Sequence, residues 1–118
     1  MRFNGKEPIF IQVSNYFENL IKAGAFKPGD FLPSVRDIAE LENINPNTVN
    51  KAYINLANKN LVTSIPKKGY YVNAIQYDNK YLELENEIKN LLNLYTFDEI
   101  SAVLQRFSEN KEENKWLK

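Results

Sequence analysis

Within the stretch NPNTVNKAYINL, Asn45 to Leu56, four polar side chains follow one another closely: Asn47, Thr48, Asn50 and Lys51. None of them is a strong nucleophile or a general base. Together they form a dense set of hydrogen-bond donors and acceptors. An amide pairs bidentately with adenine, an ammonium reaches guanine or a phosphate, and a threonine methyl touches thymine. The chemistry these types can perform is recognition rather than bond-making. The rest of the composition agrees, because the chain has no Cys and no His. Disulfides and thiolate sites are thereby excluded, and so are the commonest general base and the commonest metal ligand. No Gly-rich phosphate loop is visible either. An enzyme would need a carboxylate pair in a cleft, and the acids of DNKYLELENE read as a solvated helix surface. We expect no catalytic residue, no metal and no cofactor.

Those polar residues need a helix to present them. Asn45 is a natural N-cap and Pro46 suits the first helical position. Val49, Ala52, Tyr53 and Leu56 then form a buried stripe, and the spacing predicts a helix to about Asn60. With that stripe inward, steps of about 100° per residue point Asn47 and Lys51 away from the core. Ile54 and Asn58 continue the outer side, with Thr48 and Asn50 on its flanks. Filling exposed positions with Asn and Thr sacrifices helicity that Glu, Lys or Ala would keep, which favours contact over mere solvation.

Upstream, Pro8 opens a helix whose apolar face is Ile9, Val13, Tyr16, Phe17, Leu20 and Ile21, ending near Gly24. FKPGDFLPS reads as a turn and an extended connector. Ser34 caps a short helix with Asp37 in its first turn and Val35, Ile38, Ala39 and Leu41 inward. Two short helices joined by a tight turn predict a helix-turn-helix. Leu61 to Ile65, the turn Pro66-Lys67-Lys68-Gly69 and the run Tyr70 to Val72 predict a β-hairpin directly after it. A helix-turn-helix followed by a hairpin is a winged helix. Arg36, early in the short helix, matches guanine or a phosphate fork, with a salt bridge to Asp37 or Glu40 as its alternative. Ser34 and Asn45 are caps at helix starts, where phosphates also bind. At the wing tip Gly69 permits a positive φ, Lys67 and Lys68 suit the minor groove or its phosphates, and Tyr70 can contact or pack.

From Tyr77 the pattern is helical again, with Leu84, Ile88, Leu91, Leu92 and Tyr95 on one stripe. Thr96 and Glu99 form a capping box for a last helix carrying Phe97, Ile100, Val103, Leu104 and Phe107. The charged end SENKEENKWLK is expected to fray, apart from Trp116 and Leu117. Net charge is zero overall, yet residues 1–76 hold nine Lys/Arg and six Asp/Glu, or +3, and residues 77–118 hold six and nine, or −3. That asymmetry hints at a binding module followed by something else, and surface noise explains it about as well. The division expected from the element pattern is a DNA-binding winged helix-turn-helix over 1–76 and a two-helix region over 77–118. The fold class is mainly α with a small β-hairpin. No stretch approaches the roughly 18 apolar residues of a membrane span, and the N-terminus lacks a signal peptide's apolar core. A cytoplasmic protein is expected, with no membrane partner.

The blocks G.FKPGD.LPSVRD.A, NPNTV.KAY..L and KGYYV, spread over Pro8 to Val72, resemble the N-terminal winged helix of the GntR family of bacterial transcription regulators. The NPNTVNKAY form and the short tail are similar to its YtrA-like subfamily. Where the wider family often carries Arg in the recognition helix, this chain carries Pro46 and Asn50. The resemblance implies a regulator, most often a repressor, that reads an inverted-repeat operator in double-stranded DNA. The Leu84 to Tyr95 stripe could pack against Phe97 to Phe107 within one chain, but both stripes are too wide for one small contact. Leu84, Ile88, Leu91, Leu92, Tyr95, Ile100, Val103, Leu104 and Phe107 are therefore expected to hold a homodimer. A small-molecule effector could sit between the wing domain and the tail, though no residue set announces one. The competing reading is a winged-helix module that binds protein or RNA. It would call for exposed aromatic or aliphatic anchors on the outer face, where only Ile54 stands.

Overall fold

The computed structural model describes residues 1–74 and 79–108 of the chain. The expected boundary at Gln76 and the terminal Trp116 and Leu117 lie outside the described residues. The chain divides into two compact units, Met1–Tyr77 and Asp78–Lys118.

In the first unit α1 (Ile9–Ala23), α2 (Val35–Glu42) and α3 (Pro46–Asn58) precede a hairpin of β1 (Val62–Ile65) and β2 (Gly69–Val72). Local chemistry sets the helix ends. Gly24 closes α1 in the left-handed region at φ 91°, its N–H reaching back to Ile21,. Ser34 Oγ caps α2 by accepting from the Asp37 N–H at 3.0 Å. Asn43 ends α2 with φ 54°, turning the chain within three residues towards α3. The Asn45 side chain accepts from the Asn47 N–H at 2.8 Å, and Pro46 occupies the first turn as expected.

The core joins Val13, Phe17 and Ile21 of α1, Ile38 and Ala39 of α2, and Val49, Ala52, Tyr53 and Leu56 of α3. Leu61, Val62 and Val72 close it from the hairpin. Leu41, expected on the inner side of α2, is exposed instead. An eight-residue helix covers the core with little more than one turn, and Leu41 lies about 60° round from Ile38, past the edge of the contact,. Between α1 and α3 the buried Ser14 hydroxyl accepts from Asn55 Nδ2 at 2.8 Å, so the one polar atom set there is paired,.

The hairpin is antiparallel, with Val62 opposite Val72 and Ile65 opposite Gly69. The segment read as a plain connector does more than connect. Phe31 bridges to Tyr71, the Leu32 N–H donates to the Tyr70 carbonyl at 2.8 Å, and the Val72 N–H donates to the Asp30 carbonyl at 2.8 Å. This strand-like segment thus covers the outer edge of β2 and ties the wing to the start of α2,.

In the second unit a single 3-10 turn, Asn79–Tyr81, leads into α4 (Leu82–Leu94) and then α5 (Phe97–Phe107). The capping box is formed in both directions, Glu99 N–H to Thr96 Oγ1 at 3.1 Å and Thr96 N–H to Glu99 Oε1 at 2.9 Å. Neither helix buries a residue within its unit. Among the described residues no helix is long and apolar enough to cross a membrane.

Candidate nucleic-acid interface

The outer side of α3 carries the expected groups. Asn47, Asn50, Lys51, Ile54 and Asn58 are exposed and Thr48 is half-buried, while Val49, Ala52, Tyr53 and Leu56 face the core. Asn45 serves as the cap, which occupies its side-chain oxygen but leaves it at the exposed start of the helix. Lys51 is less free than its outward direction suggested. Its Nζ lies 4.3 Å from the centre of the Phe10 ring, so α1 holds the ammonium by a cation–π contact beside the outer side of α3,. Sequence reasoning missed Phe10 because the pairing crosses 41 residues and no local periodicity encodes it.

Tyr53 anchors this face from below. Its phenol donates to the Pro33 carbonyl at 2.7 Å, and its ring meets Phe17 edge-on at 5.4 Å and Tyr70 edge-on at 5.3 Å. Burial pushes the Tyr53 phenol well above its ordinary range, with the nearby Asp37 charge adding to the effect. It therefore stays a neutral donor, and α3 is fixed against the lead-in to α2.

On α2, Arg36 pairs loosely with Glu40, 3.5 Å apart and one turn on. The side chains are 87% and 71% exposed, so the pair is a weak surface contact and leaves the guanidinium available to a stronger anion,. Ser34 stays exposed while capping. At the wing tip Lys67 and Lys68 are exposed, and the turn closes with the Lys68 N–H donating to the Ile65 carbonyl at 3.0 Å. Two residues of this turn have positive φ, Lys67 at 66° and Gly69 at 114°. Only glycine takes the second value without strain, so Gly69 supports the sharp tip that projects both lysines. Tyr70 is half-buried and joins the wing to α3, its hydroxyl donating to Asn50 Oδ1 at 3.3 Å. The structure thus brings Asn50, Tyr70 and Tyr53 into one chain of contacts, and Lys51 and Phe10 into another.

Helix, turn, helix and an edge-covered hairpin, with polar groups on the outer side of the second helix of the motif, define a winged helix-turn-helix DNA-binding protein. The family model for bacterial regulatory proteins of the gntR family matches residues 11–72, and the chain belongs to that family. Its members are transcription regulators with a DNA-binding winged helix, and they are not enzymes. The HTH-type transcriptional repressor YtrA of Bacillus subtilis is 33% identical over 89 residues, which cover 72% of this chain and 68% of the repressor. The structure of YtrA from Sulfolobus acidocaldarius, a GntR-family transcription factor, is similar with a TM-score of 0.58. That likeness carries 31% identity and covers 91% of this chain and 93% of the archaeal one. The DNA-binding domain of AraR, in complex with its operator ORX1, has the same fold at a TM-score of 0.57 and 22% identity, covering 60% of this chain and 92% of that domain.

Proposed function

We propose that this chain is a cytoplasmic repressor that binds an inverted-repeat operator as a homodimer. Asn47, Thr48, Asn50 and Lys51 enter the major groove, with Asn45 at the leading end. Arg36 and Ser34 approach the flanking backbone from α2. Lys67, Lys68 and Gly69 reach the neighbouring minor groove or its phosphates, as the wing tip's exposure allows. One observation carries this reading: the outer side of α3 is open and lined by amides and an ammonium, with Ile54 as its single exposed large apolar residue. A helix built to grip a protein would present aromatic or aliphatic anchors there.

Pairing is supported by α4 and α5. Eleven large apolar side chains between Leu82 and Phe107 are exposed within the second unit, from 42% at Leu91 to 74% at Leu94. Apolar surface on that scale calls for a cover, and two copies bring two reading heads to two half-sites.

The test is selection of bound duplexes from a random library by the full chain. The wild type should enrich an inverted repeat, and Asn47→Ala and Lys51→Ala should lose it. A wild type that enriches no motif would transfer the chain to the class of protein- or RNA-binding modules. Placing the selected repeat across a promoter then tests repression, because transcription in vitro should fall as protein is added and a rise would mark an activator.

A further inference from the structure

Besides packing on it, the wing is joined to the recognition helix by a side-chain hydrogen bond, and its direction has a consequence for base choice. Tyr70 is fixed in place by the core: its ring stands edge-on to Tyr53, which is itself 1% exposed and tied to Pro33. From that position the Tyr70 hydroxyl donates to the amide oxygen of Asn50. Among the described residues the Asn50 amide nitrogen has no protein partner, and the side chain is exposed on the outer side of α3.

We infer that Tyr70 is a positioning residue that turns Asn50 into a donor and so makes it select guanine rather than adenine. The inference rests on the reading of α3 as the groove-entering helix. A free asparagine offers a donor and an acceptor side by side, the pattern that matches the N7 acceptor and N6 donor of adenine. With its oxygen engaged by the phenol, Asn50 presents its NH2 outward. Guanine displays two acceptors in the major groove, O6 and N7, whereas adenine displays an acceptor beside a donor. An NH2 group meets no unmatched partner on guanine and faces the adenine N6 donor at a loss. The opposite amide orientation, with nitrogen towards the phenol and oxygen outward, would instead favour the N4 donor of cytosine. The bases bound therefore report the orientation.

The experiment is the duplex selection repeated with the full chain as wild type, Tyr70→Phe, Asn50→Ala and the double variant. Phenylalanine keeps the ring against Tyr53 and removes only the hydroxyl, and circular dichroism checks that each variant is folded. At one base pair per half-site the wild type should prefer guanine over adenine by about tenfold. Tyr70→Phe should shift that position towards adenine, Asn50→Ala should abolish preference there, and the double variant should match Asn50→Ala. A Tyr70→Phe profile identical to the wild type at every position would overturn the inference, as would wild-type selection of adenine or cytosine at the Asn50-dependent position. Should Tyr70→Phe fail to fold, Asn50→Asp decides instead: with no NH2 to donate, it must lose guanine, and retention of guanine overturns the inference. A wild type that selects no motif strikes at the proposed function rather than at Tyr70.

Discussion

Glu18 shows how a single carboxylate can link stability to pH. It accepts from Lys22 at 2.7 Å and from Lys59 at 2.8 Å, which joins α1 to the end of α3. The hydrogen bond from Lys22 first, and that from Lys59 next, hold its pKa below the ordinary carboxylate value near 4.5, against a smaller opposing push from burial. A folded-state pKa below the unfolded one means a contribution that is complete above about pH 5 and is lost as pH falls through the lowered value. Urea titration should find Glu18→Gln less stable at pH 7 by about 0.5–1 kcal/mol, the difference closing as pH falls through the lowered carboxylate value,. A difference that persists unchanged at pH 3 would show that the charge is not what matters. Nothing local to Glu18 announced this pairing. Its i+4 neighbour was visible along α1, but Lys59 reaches it only after the chain has folded back.

At the scale of elements, caps and contacts occupy neighbouring positions on α3 and can be separated. Asn45 satisfies the Asn47 N–H, so Asn45→Ala should cost about 1 kcal/mol of stability,. Asn47 has an exposed side chain beyond the cap, and Asn47→Ala should change stability by no more than about 0.5 kcal/mol while removing sequence preference in the selection,. Chemical denaturation beside the selection distinguishes the two, and equal stability losses would make Asn47 a structural residue. The helix starts at Ser34, Asn45 and Thr96 were legible in the sequence because each depends on a side chain and an N–H two or three residues away. The strand-like segment around Phe31 was not, because a single bridge residue carries no alternation and its partners sit some 40 residues downstream. Leu41 was misplaced for a related reason: periodicity says which side of a helix is apolar, while the width of the neighbouring surface says how much of that side is covered.

For the whole molecule, the exposed apolar residues of α4 and α5 give a prediction of assembly. Leu91→Asp, at the centre of the α4 stripe, should halve the mass measured by light scattering. It should also about halve the slope of log affinity against log salt, since that slope follows the number of phosphates neutralised. A variant that still measures as two chains would move the pairing surface elsewhere.

Fold class, and which side of α3 is polar and outward, were determined by sequence alone, because helix period, caps and turn residues act over a few positions and exclude most alternatives. Which of those outward polar groups stand free was decided only by tertiary structure. Lys51 rests over Phe10 and the Asn50 oxygen is engaged by Tyr70. Contacts such as these depend on where remote segments stop in space, and hydrogen-bonding capacity is spent or spared only when those segments meet.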